Sequence, residues 1–590
     1  MNKTVSLCMI VKNEEKNLSR CLKSIDGLMD EIIIVDTGST DKTIEIAKAY
    51  NAKIYHYEWQ DDFSAARNES IKYATGDWLF FMDADDELCH KDRERLLELI
   101  QKGAKDIYFF ETHSFVGRTP GANITVNLNI RLVKNDGQYY YESPIHEQLK
   151  NKKQALTNLK TSIVDIKIFH YGYLKENISS KNKRERNKSI LQDLMKKEPN
   201  NMFHYFNLGS EYFAENNYIK ALECFNQVYK NFDEKTLYAP KLILRMVLCC
   251  YFLGLYEEGI ELVEIGLLKY YPKYTELEYL KGLIYHKQKK YTLAIDAFNK
   301  CIQMKDSPSA LKFIFGVGDY RSFAALADIY MALEDYYKAY EYAVKTLLYK
   351  KDYAQGVYHL VKILKAMQAE EKDVFKIMES HKANGKISNL IIGDALLKEG
   401  YHTLASQYIQ LEKKESIHKD TLKAKYLFKS KAYEEVVRFL EHKPFTIDTF
   451  KMLSLSLILL KDEKIFKYLE TIEDKEALKA CRDLVKVYGE LAHILFEQPT
   501  AVISYEKKER VYTQIIMEIL NQLLQNNEFD VFEKALELLN LISDDTVLLQ
   551  LGKLYHKNGY EKMAYKEIIR SIKDFDVIDK EGLRILEQCV

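Results

Sequence analysis

The 590-residue chain has only 8 prolines and 2 tryptophans, and no proline-rich stretch that would read as a linker. It has no apolar run long enough to span a bilayer. The most apolar-looking stretch, LSLSLILL at Leu453–Leu460, is too short and is interrupted by serine. The opening MNKTVSLCMIVKNEE passes straight into a strand pattern that Lys12-Asn13-Glu14-Glu15 breaks, so no signal core is expected. The nine cysteines (8, 21, 89, 224, 249, 250, 301, 481, 589) form no Cys-x-x-Cys pair and no Cys/His metal spacing, and Cys249-Cys250 are adjacent. They read as reduced and mostly buried, which points to a cytoplasmic protein. A formal net charge of −1 excludes a globally basic nucleic-acid binder. What remains is a helix-rich folded chain, 47% hydrophobic and 29% charged, too long for one core.

The periodicity changes part-way along. Up to about residue 175 strands alternate with helices: VSLCMIV (Val5–Val11), EIIIVD (Glu31–Asp36), AKIYHYEW and DWLFFMD are strand-like. EEKNLSRCLKSIDGL, TIEIAKAY and FSAARNESIKYA between them are helical. Such alternation predicts an α/β domain with a mostly parallel sheet and ligands at the carboxyl ends of its strands. From about residue 200 the pattern is helix upon helix. Tyr205, Leu208, Gly209, Tyr212, Ala221, Phe225 and Val228 stand at the spacings of a tetratricopeptide repeat, with small residues where two helices approach. The spacing returns at Gly282, Tyr285, Ala294 and Phe298, at Ala327, Tyr330, Ala339 and Ala343, and at Leu551, Gly552, Tyr555, Ala564, Ile568 and Ser571. The expected organisation is an α/β domain over 1–175, tetratricopeptide repeats over 176–350, and degenerate helical repeats over 351–590 that end in a clear repeat at 547–575.

WLFFMDADDEL (Trp78–Leu88) drives a strand into four carboxylates among five residues. In an extended chain Asp83 and Asp85 would point the same way, with Ala84 toward the core. Hard carboxylate oxygens suit Mg2+ or Mn2+, which also bind phosphate oxygens. The competing reading is a capped loop before the helix HKDRERLLELI. Asp36 ends the second strand and would bring a carboxylate to the same rim, or would serve only the turn in VDTGS. SFVGRTPGANITVNLN (Ser114–Asn129) reads as a hairpin in preference to a lid.

LCMIVKNEEKNLSRCLKSI, EIIIVDTGSTDKT, DFSAARN and GDWLFFMDADDEL together resemble the glycosyltransferase family 2 nucleotide-sugar domain over about residues 4–175. That resemblance implies a GT-A, Rossmann-like fold and inverting transfer from a nucleotide-diphosphate sugar. UDP is the expected nucleotide, and glucose or N-acetylglucosamine the expected sugar. It implies that Asp36, Val11 and Glu14 line the nucleotide pocket and that Asp83 sits at the ribose and metal. Asp85 is implied as the better metal ligand, and Arg67 is placed near the nucleotide or its phosphates unless it only makes a helix salt bridge. Arg131-Leu132, His146-Glu147 and His170-Tyr171-Gly172-Tyr173 match the order found in a subset of the family often fused to tetratricopeptide repeats. His170 would complete the metal shell or sit hydrogen-bonded in the core. Glu147, ranked slightly above His146, would be the general base or a structural ion-pair partner; the Glu-Asp pair many members carry at the base position is missing.

The two-part layout is similar to bacterial S- and O-glycosyltransferases that modify secreted peptides or flagellar proteins. By that analogy the helical repeats dock a protein or peptide acceptor, or form a homodimer. Two other readings stay open: a transferase for a lipid-linked or cell-wall glycan, and a repeat scaffold with an inactive transferase domain.

Overall fold

The computed structural model describes residues 2–589 except 118–122, 175–180, 384–386, 445, 474–480 and 506–509. The chain divides into two compact units, Met1–Ala369 with His381–Lys386, and Glu370–Ser380 with Ile387–Val590. All the residues singled out above as site candidates lie in the first.

That unit begins with ten strands: β1 (Val5–Val11), β2 (Glu31–Asp36), β3 (Lys53–His56), β4 (Trp78–Phe81), β5 (Asp86–Leu88), β6 (Ile107–Val116), β7 (Asn123–Lys134), β8 (Tyr139–Glu142), β9 (Gln148–Asn151) and β10 (Thr161–His170). Eight form one sheet in the order β3-β2-β1-β4-β7-β6-β10-β5, and β8 pairs with β9 separately. The pairs β3–β2, β2–β1, β1–β4 and β6–β10 are parallel, while β4–β7, β7–β6 and β10–β5 are antiparallel. β1 and β4 are almost wholly apolar because both faces of the sheet are covered. Leu7, Met9 and Phe80 enter one core, with Leu18 and Leu22; Cys8, Leu79 and Phe81 enter the other. Helices α1 (Leu18–Ser24), α2 (Thr43–Ala49) and α3 (Phe63–Lys72) lie between the first four strands, and α4 (Arg93–Lys102) precedes β6. The parallel connections leave the carboxyl ends of β1, β2 and β4 on one rim. β6 and β7 form the expected hairpin, and its tip, 118–122, lies outside the described residues.

The helical part of this unit runs through α5 (Lys181–Lys197), α6 (Met202–Ala214), α7 (Tyr218–Lys230), α8 (Ala239–Leu253), α9 (Tyr256–Ile265), α10 (Thr275–Lys287), α11 (Tyr291–Met304), α12 (Tyr320–Ala332), α13 (Tyr336–Tyr349) and α14 (Ala354–Ala366). Gly209 of α6 faces Phe225 of α7 so closely that a Cβ would lie 2.6 Å from its ring; Gly282 meets Phe298 in the same way at 2.7 Å. One device closes the helix pairs. A left-handed residue ends the first helix, and the next N–H bonds back five residues: Asn217 to Tyr212, Lys290 to Tyr285, Asp335 to Tyr330. The same device recurs in the second unit at Gly400, Lys431, Lys461, Asn527 and Gly559. The helix-pair pattern therefore continues where the sequence signature fades.

Within the first unit the helical part is fastened to the sheet. The segment between α11 and α12 lays Ile314 against Thr125 of β7 in an antiparallel bridge, and Val126 N–H donates to Phe313 O at 2.9 Å. Glu111 of β6 accepts from Ser309 at 2.6 Å and pairs with His113 at 2.9 Å and Lys312 at 3.4 Å. These partners hold the Glu111 carboxyl down at about 2 against the opposing effect of burial.

Candidate active site

The rim is built by loops that lace to one another. Val11 pairs with Asp36 across β1 and β2, and its carbonyl accepts from Thr37. Asn13, left-handed at φ 56°, takes a bond from Thr40 N–H at 2.7 Å, and Glu14 N–H donates to Thr43 Oγ1 at 2.7 Å. Val11, Glu14 and Asp36 thus lie on two adjoining loops. The buried Asp36 carboxylate accepts from Gly38 and Ser39 N–H and stands 3.4 Å from His56 Nδ1. The turn-forming role of Asp36 is therefore present in the fold.

The acidic stretch departs from the expected extended geometry. Asp86 N–H closes a turn onto Asp83 O at 3.0 Å, and the chain reverses into β5. The turn, not strand alternation, gathers the acids. Ligand atoms of Asp83, Asp85, Asp86 and His170 all lie within 4.8 Å of one another. Asp86, which the sequence reading left without a role, is the fully buried anchor. It pairs with Arg131 at 2.9 Å, accepts from Asp83 N–H at 2.9 Å, and binds His170 Nδ1 at 2.9 Å. Arg131 reaches in from β7 and also donates to Phe81 O.

These neighbours set the acids apart. Burial works to raise Asp83, but the guanidinium charges of Arg67 and Arg131 outweigh it and hold the carboxyl below its ordinary value. Asp85 lacks such a partner: burial pushes it up to about 6, opposed by His170 and aided by Asp86 and Asp83. Burial works to lower His170, yet its bond to Asp86 and the charge of Asp85 carry it up to about 9. A divalent cation fits this set. It would take over from the His170 proton as the positive charge facing Asp85. With Nδ1 bound to Asp86, His170 Nε2 is the nitrogen left to offer. Gly172 keeps the place open, since a Cβ there would stand on Asp85 Oδ2 and His170 Nε2. That is why a glycine is needed in His170-x-Gly172.

Arg67 sits in the first turns of α3, whose start is fixed by Asp62 accepting from Ala65 N–H. It is half-buried between two acids, with Nη2 2.7 Å from Asp83 and Nε 3.1 Å from Glu147. It is not the surface helix pair that its sequence also allowed. Glu147 does make an ion pair, as its competing reading held. His146 has φ 55°, and its buried Nε2 has no hydrogen-bond partner among the described residues. Burial lowers its pKa, so it is neutral at pH 7. Ile145 anchors this segment against Leu191 of α5 and Leu208 of α6.

Arg67, Asp83, His146 and Glu147 line a cleft of about 880 Å³ whose other wall comes from Phe203, Phe206, Tyr238 and Lys241 of the helical part. No local pattern marks this wall, because it is brought in from beyond residue 200. The acid cluster and the Arg67–Glu147 pair therefore meet through Asp83, whereas Val11, Glu14 and Asp36 occupy the β1–β2 end of the rim.

Residues 6–175 match the family described as glycosyl transferase family 2, and residues 205–231 and 277–308 match the tetratricopeptide repeat. The N-terminal domain is a glycosyltransferase family 2 domain. A tetratricopeptide repeat-containing protein of Synechococcus elongatus is 35% identical over 211 residues, 35% of this chain and 51% of that protein. The prophage-derived glycosyltransferase SunS of Bacillus subtilis is 28% identical over 312 residues, 51% of this chain and 70% of SunS. The chain thus spans about half the length of the first of these relatives. A solved structure of glucosyl-3-phosphoglycerate synthase from Mycobacterium tuberculosis overlaps 19% of this chain and 44% of that one, at 25% identity and a TM-score of 0.17, too slight an overlap to carry weight. No helix among the described residues is long and apolar enough to cross a membrane.

Proposed function

We propose that this protein is a metal-dependent inverting glycosyltransferase that moves a sugar from a nucleotide-diphosphate sugar, in the first place a UDP-sugar, to a hydroxyl or thiol of a protein or peptide held by the helical repeats. One observation carries the reading: the acid cluster at the rim opens through Asp83 and Arg67 into a cleft walled by both the transferase domain and the first repeats.

In this account the β1–β2 loops, with Val11, Glu14 and Asp36, receive the nucleotide. Asp85 and His170 hold Mn2+ or Mg2+, while Asp86 and Arg131 fix the imidazole and the turn. The ion, when bound, offsets the charge of the departing diphosphate. Arg67 holds Asp83 and Glu147 in place at the mouth of the cleft. Glu147, whose Oε1 is held by Arg67, then takes the acceptor proton on the face opposite the leaving group. The unpartnered, neutral His146 Nε2 is the second candidate for that proton.

Glu147→Gln and His146→Gln separate the two. Loss of the general base lowers kcat about a hundredfold or more, whereas loss of a packing histidine leaves kcat within a few-fold and shifts the unfolding midpoint. Both variants retaining full transfer would remove this assignment.

A further inference from the structure

α8 carries two cations beside the cleft with no carboxylate in direct contact among the described residues, although Glu211 acts on Arg245 from farther off. Lys241 and Arg245 are one turn apart on that helix and so project from one face. Neither has a carboxylate within 4.0 Å among the described residues. Lys241 Nζ donates to Asn127 Oδ1 of β7 and lies over the Phe313 ring; Arg245 donates to Ser210 Oγ and lies over Phe206 at 5.3 Å. The other basic groups around the site are paired: Arg67 with Asp83 and Glu147, Arg131 with Asp86, Lys188 with Glu215, Arg184 with Glu211. Lys241 lines the cleft, and Arg245 stands one turn behind it on α8; both are half-buried. Burial, with their mutual repulsion for Lys241, brings the lysine down to about 7 and the arginine to about 10. Cations shielded from water are ordinarily matched by anions, and Lys241, with no carboxylate in contact among the described residues, lies where a cleft ligand can bring the missing charge.

Beside them Phe206 stacks on Tyr238 with centroids 4.9 Å apart, and Phe203 flanks Tyr238 at 5.7 Å. With the exposed Leu237 they make an apolar ledge on the cleft wall, next to Lys241.

We infer that Lys241, with the charge of Arg245 behind it, is an anion subsite of the acceptor cleft, taking a carboxylate or phosphate that the acceptor polypeptide carries close to the residue to be modified, while a neighbouring apolar side chain lies on the Phe203–Phe206–Tyr238 ledge. This rests on the transferase reading and adds the chemical class of the acceptor. Asp83 and Glu147 at the far side of the same cleft would repel that anion, which orients the segment with its negative group toward α8.

The test reads occupancy directly, with the full chain and without donor, metal or turnover. The probes are inorganic phosphate and N-acetyl-aspartate amide, each up to about 50 mM. Labelling of Lys241 by an amine-selective reagent near neutral pH is followed by peptide mapping. A saturable slowing of about fivefold or more at Lys241, with no change at the exposed Lys338, is the expected result. Protection by the carboxylate probe assigns an acidic segment, and protection by phosphate alone a phosphorylated one. Asn127→Asp, which places a carboxylate on the Lys241 amine, should abolish the protection while the chain stays folded. Unchanged labelling with both probes overturns the subsite, as does protection that survives Asn127→Asp. A chain that shows protection but turns over no sugar donor would instead refute the transferase reading, so the two failures are separate.

Discussion

Metal affinity should climb with pH in a way fixed by two side chains. His170 titrates at about 9 in the metal-free protein, and a metal at its nitrogen must displace that proton. At pH 7 the displacement costs roughly 3 kcal/mol and holds apparent affinity about a hundredfold below its limit. Affinity should therefore rise about tenfold per pH unit from about 6 to about 9 and level off above. Below about 6 the Asp85 carboxyl is protonated too, and the slope should steepen toward a hundredfold per unit. The stability of the metal-free protein moves the other way. A histidine raised by its pairing contributes stability that is fully present below its unfolded value near 6.5 and lost as pH rises through about 9. The gain in Tm on adding Mg2+ should accordingly widen with pH. Calorimetric titration of Mg2+ into the intact chain and into His170→Gln reads this. The variant should bind more weakly at its limit and lack the step near 9, leaving only the Asp85 step, which moves up from about 6 once the opposing charge of His170 is gone. A flat profile from pH 6 to 9 in the intact chain, or the same slope in His170→Gln, would refute the reasoning.

Gly172→Ala should weaken metal binding about ten- to a hundredfold, because its Cβ would fill the space between Asp85 and His170, and the unfolding midpoint should hardly move. Arg67→Met leaves Asp83 and Glu147 without their shared partner and should cost roughly 3 kcal/mol in urea unfolding, a loss that raising the salt does not reproduce in the intact chain. Gly209→Val drives a side chain into the buried Phe225 ring and should cost about 1–3 kcal/mol in the same assay without altering metal affinity.

Much of this was legible in the chain. β1, β2 and β4 announce themselves as apolar runs, and their parallel order follows from the helices between them. The tetratricopeptide spacing located Gly209 and Gly282, each of which admits a phenylalanine from the next helix. The geometry of the acids was not legible. Alternation predicted Asp83 and Asp85 on one side of a strand, but a backbone turn gathers them instead, and that turn is held by Asp86 and by Arg131 from a strand some fifty positions later. Asp86 carries no distinguishing mark among four neighbouring acids; only its burial and its three partners single it out. The pairing of Arg67 with both Asp83 and Glu147 is likewise a product of three distant segments. Between residues 350 and 540 the side-chain signature fades, yet left-handed Lys431, Lys461 and Asn527 still turn the chain between helices, because the device is a backbone one that tolerates many residues. The second wall of the cleft depends on how the Ser307–Asp319 segment seats the helices on β6 and β7, and no local pattern encodes that.

The cluster around Asp85 and the cleft beside it should transfer sugar from a nucleotide to protein. The most direct measurement supplies the purified chain with Mn2+, a panel of radiolabelled UDP-sugars and host lysate, and counts label in precipitated protein, in organic extract and in free sugar, with Asp85→Ala alongside. Label in protein from at least one donor, lost in Asp85→Ala, is the expected result. Label confined to the organic extract would contradict the protein acceptor, and the absence of both transfer and hydrolysis with every donor would contradict the transferase itself.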